Sequence, residues 1–296
     1  MSLTSFVKLP EVTEEILRHW PVPNFEMRMP LLAPPGSKNY ALVGTAFDYL
    51  FRFYLKRLYP DCIEKKWVAE YSINPIFLHS LFEKQINQLD LNKSQEKSLK
   101  ALEAAHHKTG QSIIERAKNE QAKFIKFGEI TDEIIRSVIE LAKLDAVYRA
   151  GYIYTDLAKL TQSLPEDIQD IRRLFEIIPK NNFAGKRNIL LNPTFENASE
   201  IVGGADCDFV MDQEITDLKT TKYLQLTKDY WTQLVGYAIL ADITTDKKFP
   251  KIKTISIYYS RHAAKWEHST AEIYNHPNYD KFKEWFIERA QEAYSV

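Results

Sequence analysis

Apolar and polar positions alternate from residue 205 to residue 211, with Asp206, Asp208 and Val210 on one side of the run and Ala205, Cys207, Phe209 and Met211 on the other. A period of two belongs to a β-strand, whose successive side chains point to opposite faces. Asp212, Gln213 and Glu214 read as a polar turn and residues 215–219 as a second short strand, so the pattern predicts a hairpin. On that second strand Asp217 and Lys219 share a face, while Leu218 points into the opposite layer. A helix is expected next, carrying Gln233 and Tyr237 four residues apart and therefore on one side.

Elsewhere the period lengthens. Leu42, Ala46, Tyr49, Leu50, Phe53, Tyr54 and Leu58 form a stripe that predicts a helix over residues 40–59. The stretches Ile76 to Leu89, Ser94 to Lys126, Thr131 to Leu160 and Leu164 to Ile178 are rich in helix formers, which predicts a helical block over 75–178. Residues 252–261 alternate well enough for another strand, and 278–294 close the chain as an amphipathic helix with Phe282, Trp285, Phe286 and Ala290 inward. The prolines of the first 38 or so residues predict an extended arm. Trp67, Val68 and Ala69 suggest a short strand that carries Glu70 toward the core. The expected plan is thus an N-terminal arm and first part of a core over 1–74, a helical insertion over 75–178, and the rest of an α/β core over 179–296.

Composition narrows the class. A chain of 296 residues, 45% hydrophobic and 12% aromatic, buries a sizeable core and reads as globular rather than disordered. It has no apolar run of about 18 residues, and Glu11, Glu14 and Glu15 interrupt any signal-peptide order, so no membrane association and a cytoplasmic location are expected. Cys62 and Cys207 stand far apart, which excludes a zinc ribbon and a four-cysteine iron–sulfur cluster. His106, His107, His262 and His268 lack metal spacing and are expected at the surface.

The hairpin carries the candidate chemistry. Mg²⁺, or Mn²⁺ in its place, is a hard ion commonly held by one or two carboxylates plus waters and phosphate oxygens, so Asp206 and Asp217 from adjacent strands form a half-cage. Asp208 shares the face of Asp206 and is an alternative ligand, and the closeness of the two carboxylates favours a bound cation. Lys219 is placed to orient or help deprotonate an attacking water and to stabilise charge building on phosphorus.

In order, Gly203-x-x-Asp206, Asp217-x-Lys219 and Gln233-x-x-x-Tyr237 resemble the PD-(D/E)XK nuclease superfamily, in particular its RecB-like and lambda-exonuclease-like branches. The resemblance implies a restriction-endonuclease-like mixed sheet flanked by helices, with the helical block as a large insertion. It implies that Asp206 and Asp217 bind metal, that Lys219 assists the water, and that Gln233 and Tyr237 brace the site or a DNA phosphate. In the RecB-like branch an early helix carries a metal-binding histidine. The corresponding place here resembles Gly-Thr-Ala-Phe-Asp, which puts Asp48 in the metal set, with Glu70 a further candidate acid.

The expected function is a Mg²⁺- or Mn²⁺-dependent deoxyribonuclease that leans toward exonuclease. A net charge of −1 does not advertise nucleic-acid affinity, so DNA is expected to meet local cations. Lys222 and Lys228 lie beside the site, and Lys180, Lys186 and Arg187 precede it. Tyr230, with Tyr223, is placed to stack bases, whereas Trp231 is better read as packing the helix on the sheet. The helical block is a candidate surface for DNA, for oligomerisation or for a protein partner. The competing reading is a catalytically inactive nucleic-acid-binding or scaffold protein on the same fold, and cleavage of RNA is a third.

Overall fold

The computed structural model describes residues 2–88 and 92–294. In chain order the helices are α1 (Leu3–Phe6), α2 (Pro10–His19), α3 (Tyr40–Leu58), α4 (Val68–Tyr71), α5 (Pro75–Gln88), α6 (Lys93–Phe127), α7 (Asp132–Ala150), α8 (Ala158–Thr161), α9 (Pro165–Glu176), α10 (Asn197–Ile201), α11 (Lys228–Ile243), α12 (Ala271–Tyr274) and α13 (Tyr279–Tyr294). The strands are β1 (Ile63–Glu64), β2 (Ile189–Leu191), β3 (Phe209–Met211), β4 (Glu214–Lys219), β5 (Thr254–Tyr259) and β6 (Ala264–Ser269). The chain divides into a sheet unit, Met1–Leu32 with Cys62–Lys65 and Pro179–Val296, and a helical unit, Ala33–Asp61 with Lys66–Ile178.

The sheet unit is an open, mixed α/β sheet in the order β1-β2-β3-β4-β5-β6. β1 and β2 are parallel, β2, β3 and β4 form an antiparallel meander, β4 and β5 are parallel, and β6 returns antiparallel to β5. Parallel neighbours need a crossover, and α11 supplies the one from β4 to β5. The hairpin of the sequence pattern forms β3 and β4, with differences in extent. Met211 pairs with Glu214, so the turn is Asp212 and Gln213 alone, and Glu214 already belongs to the strand. Asp212 takes the left-handed conformation at φ 57°, which a short polar side chain tolerates. Its carboxylate accepts the N–H groups of Arg187 and Asn188 at 3.0 and 3.2 Å. Regular strand covers only Phe209–Met211, all three buried, and Asp206 joins through an isolated antiparallel bridge to Thr194.

The extended arm is overturned over its first half. α1 and α2 bury Leu3, Phe6, Val7, Val12 and Ile16 in the core of this unit, together with Trp231 and Leu234 of α11 and Phe282 and Phe286 of α13. Pro10 does not break α2 but starts it, at a position where its missing N–H costs nothing. A Cβ at Gly236 would lie 2.9 Å from Leu3 Cδ1, so the glycine lets α1 sit against α11. His262 is not at the surface: it is buried, with Nδ1 at 3.1 Å from the Pro30 carbonyl oxygen and Nε2 at 3.3 Å from that of Lys222.

In the helical unit the boundaries follow local signals. Asn92 caps α6 in a reciprocal capping box with Gln95, and left-handed Gly128 ends the helix about 50 Å later at 1.5 Å per residue. α7 starts at the Thr131 cap but ends at Ala150, short of the expected Leu160, because Gly151 turns left-handed at φ 63°. α5 runs from Pro75, capped by the Asn74 side chain on the N–H of Ile76; the expected end at Leu89 lies outside the described residues. Residues 68–71 form the short helix α4 and not a strand, with Val68 and Ala69 buried. His106 is likewise buried, with Nε2 2.8 Å from the Tyr154 carbonyl oxygen, and desolvation lowers its pKa. α3, grouped by sequence with the first part of the core, packs on α7, α9 and α6 within this unit. Among the described residues no helix is long and apolar enough to cross a membrane.

Candidate active site

Asp217, Lys219, Gln233 and Tyr237 converge where β4 and α11 face each other. Because side chains two apart on a strand share a face, Asp217 and Lys219 meet, with Lys219 Nζ 2.7 Å from Asp217 Oδ2. The Thr227 hydroxyl accepts the Tyr230 N–H at 3.2 Å and so caps α11 at its first turn. The next turn brings Gln233 to Lys219, which donates to Oε1 at 3.1 Å. Gln233 Nε2 donates to the Tyr237 hydroxyl at 2.8 Å, and that hydroxyl donates to the Asp206 carbonyl oxygen at 3.0 Å. One chain of hydrogen bonds therefore runs from β4 through α11 to the segment that carries Asp206. The Asp208 carboxylate accepts the Leu218 N–H, which fixes it to β4.

The charges in this cluster are coupled. Burial disfavours the Lys219 ammonium, but Asp217, Asp208 and the Tyr230 phenol outweigh it and hold the lysine pKa above its ordinary value. Burial first, then Asp217, Asp208 and Asp206, pushes the Tyr237 phenol far above its ordinary value, so it stays a donor. Cys207 is raised well above its ordinary value by burial and the same three carboxylates, which makes it a protonated, unreactive thiol.

Other expected residues occupy different settings. Lys222, Lys228 and Tyr223 are exposed; Lys222 Nζ lies 5.0 Å from the centre of the Tyr223 ring. Lys180 and Arg187 are exposed, and Lys186 lies 3.9 Å from Asp212. Trp231 is buried and donates from Nε1 to the Trp20 carbonyl oxygen at 2.7 Å, a packing role. Tyr230 is half-buried, with its ring 4.8 Å from Lys219 Nζ. Its spacing of three from Gln233 was the sequence signal for this contact, since residues three apart share a helix face. Asp48 and Glu70 belong to the helical unit, where Asp48 accepts from Arg52 at 2.6 Å and Glu70 pairs with Lys118.

Among the described residues no group of three or more His, Cys, Asp and Glu side chains is placed to hold a metal ion. A Mg²⁺ or Mn²⁺ ion requires fewer, since one or two carboxylates suffice when phosphate and water complete the shell. Asp217 is buried, and its Oδ2 stands 2.7 Å from the Lys219 ammonium. Asp217, Asp206 and Asp208 are the hard-oxygen donors of this neighbourhood, all three close enough to act on Cys207 and Tyr237. No family model, curated protein or solved structure matches this chain.

Proposed function

We propose that this chain is a divalent-metal-dependent deoxyribonuclease on a restriction-endonuclease-like core, leaning toward exonuclease. The observation that carries the proposal is the chain of contacts Asp217, Lys219, Gln233, Tyr237 and the Asp206 carbonyl, because it ties four side chains of the nuclease resemblance, and the backbone of a fifth residue, into one cluster. The meander β2-β3-β4 followed by α11 and parallel β5 supports the same core.

Asp206 and Asp217, with Asp208 as a neighbour, would hold Mg²⁺ or Mn²⁺. The ion, when bound, supplies Lewis acidity toward a phosphate oxygen and acidifies water. Lys219, paired with Asp217, orients the attacking water and offsets charge developing on the phosphoryl oxygens. Gln233 fixes the lysine, and Tyr237 fixes Gln233 and the backbone of Asp206. Exposed Lys222 and Lys228 supply phosphate contacts.

The deciding experiment follows end-labelled linear DNA and closed circles with Mg²⁺ or Mn²⁺. Loss of linear DNA alone, reduced at least about 100-fold by Lys219→Ala, is the expected result. Nicking of circles would shift the reading to endonuclease. The Asp48–Arg52 ion pair, which engages a candidate metal ligand elsewhere, favours the second reading of an inactive nucleic-acid-binding protein, and binding without cleavage would establish that one instead.

A further inference from the structure

Three groups surround the Lys219 ammonium: the Asp217 carboxylate at 2.7 Å, Gln233 Oε1 at 3.1 Å and the ring of Tyr230, whose centre lies 4.8 Å away. We infer that Tyr230 is a positioning residue for Lys219, its ring acting as the wall that sets where the ammonium points. This inference deepens the nuclease reading and rests on it. A lysine ends in a compact charge on four rotatable carbons, so two acceptors alone leave its head free to swing about them. An aromatic face attracts a cation through the ring quadrupole and closes that direction.

The ring itself is held. Its residue's N–H is bound by the Thr227 cap at 3.2 Å, and its side chain packs half-buried against the core of the sheet unit. Tyr230 and Gln233 stand three apart on α11, so one helix face presents both the acceptor and the wall. The face turned to Lys219 is closed to a nucleobase, which separates this role from the base-stacking one that the sequence suggests.

The test compares Tyr230→Phe, which keeps the ring, with Tyr230→Leu, which removes it and keeps apolar bulk. In Mg²⁺-dependent cleavage of a short labelled duplex, Tyr230→Leu is expected to lower kcat about tenfold with KM little changed, and Tyr230→Phe to stay near the wild type. A base-stacking residue would instead raise KM and leave kcat alone, which overturns the inference. A second measurement stands apart from activity. With lysines labelled at Cε, the Lys219 proton resonance, assigned by its loss in Lys219→Ala, is expected upfield by the ring current of Tyr230. That shift should vanish in Tyr230→Leu and persist in Tyr230→Phe. If the wild type cleaves nothing, the nuclease reading falls while the resonance still decides whether the ring holds the lysine; an unchanged resonance in Tyr230→Leu refutes the contact.

Discussion

Both units join an acid to a base, and they do so differently. In the helical unit Asp48 and Arg52 are four apart on α3, and Arg52, 1% exposed, also lies 4.3 Å over the Tyr49 ring. Tyr49 donates to Asp145 at 3.2 Å, and Asp145 accepts from Arg149 at 2.9 Å. Each carboxylate there faces a guanidinium one helical turn along, the arrangement of a pair that holds structure. In the sheet unit one lysine serves a face that carries Asp217 and Asp208, and Cys207 feels all three aspartates. Three carboxylates, one buried and two half-buried, share that neighbourhood with one lysine, and a cation there is what the proposed function would add. The comparison teaches that an ion pair is read by what its neighbours leave unbalanced, more than by its own distance.

The largest effects should separate the two pairs. Asp217→Asn is expected to abolish cleavage, by at least about 100-fold, at a modest cost in stability, because Lys219 keeps Gln233 and some solvent. Asp48→Ala should do the reverse. It removes one partner of the buried Arg52 guanidinium, an expected loss of about 1–3 kcal/mol read as a lower urea midpoint, while the folded fraction cleaves normally. Loss of cleavage in fully folded Asp48→Ala would break the comparison and support Asp48 as a metal ligand.

A smaller effect tests the packing of the helical unit alone. A Cβ on Gly110 would stand 2.3 Å from Ile73 Cγ2, so Gly110→Ala should destabilise by about 1–3 kcal/mol despite its better helix propensity, with cleavage by the folded protein unchanged. The smallest effect is a pH slope. Burial lowers the His106 pKa, so the unfolded chain binds the proton more tightly and stability falls as pH drops from the ordinary histidine value through the folded one. The urea midpoint should decline between about pH 7 and pH 5 more in the wild type than in His106→Gln. Equal slopes would show that His106 opens before the unit unfolds.

What the sequence made legible was local. The helix expected over Ser94–Lys126, observed as Lys93–Phe127, and the shared face of Asp217 and Lys219 both depend on residues within a few positions of one another. Gly151, which stops α7, was an equally local signal that the strong helical composition around it outweighed. Pro10 has two meanings, helix breaker or helix starter, and only the burial of Val12 and Ile16 decides between them. Trp67 and Val68 favour strands by type, but Ala69 favours helix, and so short a stretch leaves the choice to packing. The hydrogen bond from Lys219 to Gln233 and the buried settings of His106 and His262 join residues distant in sequence, and no periodicity encodes them.

The backbone passes between the two units four times, at residues 32–33, 61–62, 65–66 and 178–179. Neither unit is therefore a contiguous stretch that truncation can release. During synthesis at roughly 5–20 residues per second, α1 and α2 leave the ribosome on the order of ten seconds before α11 exists to receive them. Phe6, Val12, Ile16 and Trp20 spend that interval without their partners, and Leu3 waits for the Gly204 carbonyl that its N–H finally meets at 2.8 Å. The growing chain therefore carries these apolar helices uncovered until its last third is made, and a slow-translation or chaperone-depletion experiment should read that interval as lost yield.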